Sequence, residues 1–209
     1  MDNSGGMTLT DLLEQPGVVE EVELRGDFGF LAFHGGPVER VTSLIARMAA
    51  ERSGASFYSI DQPAERPLHL PSTRFDPAES PKLAAVLDHV RSVCTVHGYG
   101  REMSKQYLLL GGQNRHLATR LANALRRSIR PKYRVIDDLD EIPRELRGVH
   151  PRNPVNVPSD KGVQLELPPG IRWNWPERSW ADADGLEPTL DVLDVVDALA
   201  ATAVDYMRR

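Results

Sequence analysis

A histidine and a glutamate stand at opposite ends of a glycine turn in Leu31-Ala32-Phe33-His34-Gly35-Gly36-Pro37-Val38-Glu39, where an apolar run stops. An imidazole and a carboxylate brought together by such a turn are two ligands for a metal ion, and zinc best suits a nitrogen–oxygen set. Two ligands do not complete a site, so the rest of the chain must supply a third ligand and a base. His97 stands in the same local setting, after the apolar run Val93–Val96 and before Gly98. Glycine lets the backbone turn sharply and leaves the space beside the ring open. The other histidines offer less. His69, within Leu68-His69-Leu70-Pro71-Ser72, reads either as a neighbour of a site or as a plain strand residue. His89 and His116 fall on helices among polar neighbours and read as solvent-facing. On spacing alone, two unrelated turn histidines are as good a reading as a metal pair.

Glu166 shifts that balance. In Gly162-Val163-Gln164-Leu165-Glu166-Leu167-Pro168 the apolar residues alternate, so Gln164 and Glu166 share the opposite face of a strand. If helices cover both faces of the sheet, a carboxylate there is costly unless it is paired or used. It is either on an edge strand, in water or in an ion pair, or it is a general base. A zinc held by two histidines and a glutamate keeps a fourth position for water and lowers that water's pKa to about 7. A carboxylate nearby can then take the proton and hand it to a leaving amine.

The elements that must position these groups alternate along the chain. Val18–Leu24 and Phe28–Phe33 read as a strand pair joined by Arg25-Gly26-Asp27. A helix is expected over Thr42–Ala50, stopped by Gly54, and further strands over Phe57–Ile60 and Leu68–Leu70. A helix over Lys82–Val90 follows Pro81, a residue suited to a first helical turn. Strands at Val93–Val96 and Tyr107–Leu110 precede a helix over Arg115–Ser128, whose Leu117, Leu121 and Leu125 share a face. Strands at Tyr133–Ile136 and Val163–Leu167 flank a proline- and asparagine-rich loop, Ile142–Ser159, of a length more often functional than idle. A helix over Leu190–Met207 closes the chain. The expected fold is α/β: one domain with a mixed, mostly parallel twisted sheet and helices on both faces. Such sheets bind ligands at the carboxyl ends of their strands, which puts His34 and His97 on one rim.

Composition narrows the function. The 209 residues suit a single domain, and 41% hydrophobic with 26% charged residues is ordinary for a globular protein. No apolar run approaches the roughly 20 residues a bilayer needs. The N-terminus shows no signal-peptide pattern, and the lone Cys94 cannot form an internal disulfide, so a reducing cytoplasm is the expected setting. A net charge of −5 argues against a nucleic-acid partner. The basic stretch from Arg126 to Arg134 is either a solvated face that complements a helix dipole or a guide for an anionic substrate.

With these residues in place, the chain resembles a known family. His34-Gly35-Gly36-Pro37-Val38-Glu39, with Thr42-Ser43 and Ile45-Ala46, is similar to the opening motif of the poly-γ-glutamate hydrolases, some of which are described as phage-related replication proteins. In the same order follow Ala55-Ser56-Phe57-Tyr58, Leu68-His69-Leu70-Pro71-Ser72, Val96-His97-Gly98, Gly111-Gly112, Asn153-Pro154-Val155-Asn156, and Gly162–Leu167 with Arg172 close behind. The match runs from about Gly17 to Arg172. Each motif is short, and their combination in order is specific.

The resemblance implies a zinc carboxypeptidase-like fold and a zinc-dependent amidohydrolase acting on γ-glutamyl or other acidic peptide substrates. It implies that His34, Glu39 and His97 hold the zinc and that Glu166 is the base. Arg172 is then either the contact for a substrate carboxylate or a developing oxyanion or an exposed arginine after a Pro-Pro-Gly turn, with Arg115 as a weaker candidate contact. Asn153 and Asn156 are either substrate contacts or ordinary turn residues beside proline. Trp173, Trp175 and Trp180 either wall the cleft or pack the C-terminal helix. Two departures stand out. Pro37 occupies an expected glycine position and stiffens the ligand loop. Ser159-Asp160-Lys161 replaces a more basic Asn-Arg-Gly type sequence, so Lys161 or Arg172 must supply any arginine function lost there, beside the acid of Asp160. Two other functions share these features: a metal-binding protein of the same fold with weak or no activity, and a hydrolase of N-acyl amino acids or peptidoglycan-type γ-linkages.

Overall fold

The computed structural model describes residues 6–65, 67–100 and 106–208. In chain order its elements are α1 (Leu9–Leu13), β1 (Val19–Glu23), β2 (Gly26–Gly35), α2 (Thr42–Ser53), β3 (Ala55–Asp61), α3 (Pro81–His89), β4 (Ser92–Gly98), β5 (Tyr107–Leu110), α4 (Arg115–Ser128), β6 (Arg134–Ile136), β7 (Gly162–Leu167), α5 (Pro169–Arg172), a small hairpin of β8 (Trp173–Asn174) and β9 (Ser179–Trp180), and α6 (Leu190–Met207). Helix ends follow local chemistry. Ser80 caps α3 by accepting from the Leu83 amide, with Pro81 in the first turn, and Asn114 caps α4 through the Leu117 amide. Gly54, at φ 73°, closes α2 in the left-handed region that glycine reaches without strain.

Seven strands form one mixed sheet in the order β1-β3-β2-β4-β7-β5-β6. The β2–β3, β2–β4, β4–β7 and β5–β6 pairs are parallel, while β1–β3 and β5–β7 are antiparallel. The expected β1–β2 pair is not formed. β1 instead crosses to the edge and pairs with β3, Val19 opposite Asp61 through Glu23 opposite Phe57. Leu68–Leu70 is not a strand either. It is an extended connection whose carbonyls serve as acceptors, Leu68 for the Gln62 amide and Leu70 for His34.

Period-two alternation divides the core. Phe28, Phe30 and Ala32 of β2, Cys94 and Val96 of β4, and Val163, Leu165 and Leu167 of β7 face α2, α4 and α6. Leu31 and Phe33, with Tyr58, Ile60 and Val93, face α1 and α3 on the other side. Among the described residues that second face carries no α-helix beyond β4. Over β7 and β5 it is covered by the segment between β6 and β7, which bonds directly to Gln164. Full burial pushes the Cys94 thiol up to about 12, so it is an inert core residue. Among the described residues no helix is long and apolar enough to cross a membrane.

The basic stretch is largely spent within the protein. Arg126 pairs with Asp137 and Arg134 with Glu141, while Arg130 pairs with Asp191, and Lys132 lies 3.7 Å from that same carboxylate. Asp191 is buried at the start of α6 and also accepts from the Tyr133 hydroxyl (2.6 Å). Burial alone would raise its carboxyl, but the Arg130 and Tyr133 hydrogen bonds outweigh that and hold it below the usual range. A carboxyl depressed on folding stabilises above its unfolded pKa and loses that contribution as pH falls through the folded value. Asp191→Asn is therefore expected to cost about 1–2 kcal/mol at pH 7. In denaturant titrations the gap from wild type should close on acidification below about pH 4.

Candidate metal centre and its cleft

The ligand turn is built from its backbone outward. β2 ends at Gly35, Gly36 takes φ 70°, and the Glu39 amide donates to the His34 carbonyl (2.8 Å), fixing the two side chains relative to each other. A Cβ at Gly36 would meet the Gln62 carbonyl oxygen at 2.4 Å, so the turn also needs glycine for space. Just beyond, Val41 sits at φ 78°, a strained conformation for a β-branched residue. Asp182 holds it there, accepting from the Val41 amide (2.7 Å) and from the Arg40 guanidinium (2.9 Å). Strain of this kind persists only where the surroundings over-determine it.

His34, Glu39 and His97 are all buried, and one ligand atom from each lies within 4.8 Å of the others. Glu39 Oε1 faces His34 Nδ1 at 2.9 Å, and Oε2 faces His97 Nδ1 at 3.2 Å while accepting from the Gly98 amide at 3.0 Å. The other His34 nitrogen, Nε2, lies 2.8 Å from the Leu70 carbonyl, an acceptor only, and must donate to it. A neutral His34 then turns the lone pair of Nδ1 toward a carboxylate oxygen. Two acceptors at that distance repel unless a proton or a metal cation stands between them. A ring nitrogen tied to a backbone carbonyl while its partner faces the site is also how metal-bound histidines are oriented. His97 Nε2 is buried with no partner among the described residues. The donor set thus fits a divalent metal ion.

Electrostatics agree with a cation-seeking cluster. Burial would raise the Glu39 carboxyl, but the two histidines drive it well below the usual carboxylate range. Burial pulls His97 down, and the Glu39 charge more than reverses this. Glu166 is the Cα partner of His97 across β4–β7, which places both side chains on the same face. Its burial pushes it to about 7, against the pull of His97.

Sequence reasoning missed how Glu166 is held. Gln164 Nε2 donates to Glu166 Oε1 (2.9 Å) and, at 3.3 Å, to the Leu146 carbonyl. Its Oε1 accepts from Asn153 Nδ2 (2.8 Å). The alternation that singled out Glu166 placed Gln164 beside it, and that was the only signal available. His34, Glu39, His97 and Glu166 share a cleft of about 770 Å³ bordered by His69, Asn153, Gln164 and the Arg144–His150 segment.

The other candidates stand apart from that cleft. Arg172 is buried behind Gly98, where its guanidinium donates to the Tyr99 (2.8 Å) and Arg40 (3.2 Å) carbonyls and stacks on Trp180. Arg115 donates to the carbonyls of Gly112, Leu110 and Asp137. Asn156 braces its own loop through Gly148 and His150. Lys161 and Asp160 lie before β7, at the end of the strand away from Glu166, and Asp160 accepts from the Tyr206 hydroxyl. Trp173 and Trp180 meet edge to face, and with Trp175 they border a different hollow beside Tyr133.

Fold and site together define a class: an α/β protein whose sheet rim offers to an open cleft a buried histidine–glutamate–histidine set able to hold a metal. The family model for poly-gamma-glutamate hydrolase matches residues 9–180, and the chain belongs to that family. Among solved structures, bacteriophage poly-gamma-glutamate hydrolase is similar, with 24% identity and a TM-score of 0.74 over 91% of this chain and 89% of that one. So is YNDL in its apo, zinc-free form, at 21% identity and a TM-score of 0.73 over 90% and 91%. N-formylglutamate amidohydrolase from Ralstonia eutropha JMP134 shares the fold more loosely, at 11% identity and 0.53 over 90% and 97%. No curated protein matches the chain.

The glycine pair after β5 explains how the covering segment reaches the sheet. Gly112 donates to the Arg147 carbonyl (2.7 Å), and a Cβ at Gly111 would sit 2.1 Å from that oxygen. Gly111→Ala is expected to lift the segment, lowering the melting temperature by several degrees and exposing residues 142–150 to limited proteolysis. Unchanged melting and unchanged cleavage would contradict this packing.

Proposed function

We propose that this chain is a zinc-dependent hydrolase of γ-glutamyl amide bonds. The observation that carries the reading is the convergence of His34, Glu39 and His97, with Glu166 beside them, on one cleft at the rim of the sheet. Membership of the poly-gamma-glutamate hydrolase family supports the linkage, and the nitrogen–oxygen donor set supports zinc. Zinc held by the three ligands would supply Lewis acidity toward a water and the scissile carbonyl.

The chain's own residues do the rest. Glu166 takes a proton from the attacking water and delivers it to the leaving amine, so one carboxylate serves both halves of the reaction. Gln164 keeps that carboxylate aimed into the cleft, and Asn153 fixes the orientation of the Gln164 amide. Arg172 contributes from behind. Its guanidinium packs against Gly98, the residue whose amide holds Glu39, and so steadies the ligand turn.

Two substitutions test this reading. Zinc-loaded Glu166→Gln should bind metal like wild type and lose about 10²–10⁴-fold in turnover of poly-γ-glutamate, followed by release of shorter chains. His97→Ala should lose stoichiometric zinc, measured by elemental analysis, as well as activity. Wild-type turnover in Glu166→Gln would remove the base, and full zinc content in His97→Ala would remove the ligand set.

A further inference from the structure

The segment that covers Gln164 carries a short 3₁₀ turn, Arg144–Leu146, after Pro143, and the Arg147 amide closes it on the Arg144 carbonyl (3.4 Å). Residues three apart in such a turn eclipse one another, with a rise of about 2.0 Å per residue. The roots of the Arg144 and Arg147 side chains therefore lie on one side of the turn, about 6 Å apart. Both border the metal cleft. We propose that Arg144 and Arg147 are a carboxylate-reading pair that holds two successive α-carboxylates of a γ-linked glutamate chain. The proposal rests on the γ-glutamyl hydrolase reading.

Three observations carry it. First, the charges are available. Arg144 has no acid partner among the described residues, and Arg147 spends only Nε, on the Ile142 carbonyl (2.8 Å), which leaves its two terminal nitrogens for a ligand. Several arginines elsewhere are closed off by acids: Arg47 by Glu21, Arg91 by Asp27, Arg130 by Asp191. Glu145, between the pair, also borders the cleft, so the turn keeps one positive charge in excess.

Second, the spacing fits. A γ-linked glutamate unit has five backbone bonds where an α-peptide has three. Two extra carbon–carbon bonds stretch the 3.8 Å peptide repeat to roughly 6 Å. Five is an odd number, so neighbouring carboxylates alternate sides in a fully extended chain. A bend at the extra methylenes turns two of them to one side, at about the rise between Arg144 and Arg147.

Third, the turn is fixed relative to the chemistry. Gly112 binds the Arg147 carbonyl, and Gln164 binds the Leu146 carbonyl with the same nitrogen that holds Glu166. A ligand gripped by this turn is registered against the base without further ordering, and such preorganisation lowers the cost of binding. Arginine suits the task because its planar fork grips a carboxylate with two parallel bonds.

The test is calorimetric titration of a γ-linked glutamate tetramer into the full-length protein carrying Glu166→Gln, which blocks turnover. Adding Arg144→Ala or Arg147→Ala should weaken binding about tenfold each. The Arg→Lys variants should recover part of the loss, and melting curves should match the parent. A tetramer with its α-carboxylates amidated should bind weakly and be indifferent to either substitution. Equal affinity of the double alanine variant and its parent for the acidic tetramer would overturn the proposal. So would tight binding of the amidated tetramer, or no binding of the acidic one to the parent. The hydrolase reading fails on a separate readout, the absence of cleavage by zinc-loaded wild type, which leaves the affinity comparison intact.

Discussion

The carboxylate of Glu39 is the group on which the rest of the structure depends. It is buried, and its two oxygens are taken up by His34, His97 and the Gly98 amide. A charge so placed is tolerated only because those partners surround it, and removing one of two buried ionic partners commonly costs 3–5 kcal/mol. The partners come from different strands, so the contact can form only when β2 and β4 lie side by side in register. The turn that delivers Glu39 is held open by a left-handed glycine and by a strained Val41 tied to Asp182. Fold and site are thus a single electrostatic arrangement: the sheet assembles the cluster, and the cluster calls for a cation.

The second carboxylate is handled differently. Glu166 has no ion-pair partner of its own among the described residues and sits on a sheet face where a helix would ordinarily lie. A polar segment replaces that helix, bringing the Leu146 carbonyl and the Asn153 side chain to Gln164, which in turn binds Glu166. The cleft therefore stays open over a buried carboxyl that its surroundings push to about 7. The same segment presents Arg144 and Arg147 to that opening. Support for the base and recognition of an anionic chain share one stretch of backbone.

Much of this was legible in the amino-acid sequence. His34 and His97 stood out because each follows an apolar strand and precedes glycine, and both lie on the predicted rim. Glu166 stood out because alternation put a carboxylate on a covered strand. The antiparallel edge pairing of β1 with β3 was not legible. The Arg25-Gly26-Asp27 turn mimics a hairpin locally, and only long-range packing chooses β3. Leu68–Leu70 has strand composition, but its carbonyls are committed to the Gln62 and His34 side chains, which no residue pattern reveals. Arg172 and Arg115 read as substrate contacts because a cation near a site invites that role. Their terminal guanidinium nitrogens donate to backbone carbonyls instead, whereas the arginines that do border the cleft lie in a loop without any periodic signal.

The most direct test of the central claim is anomalous diffraction at the zinc edge from crystals of the zinc-loaded protein. The account predicts one strong peak about 2.0–2.2 Å from His34 Nδ1, a Glu39 oxygen and a His97 ring nitrogen, with Glu166 nearby and outside the coordination shell. No peak at that position, with His34 and Glu39 left in direct contact, would contradict it.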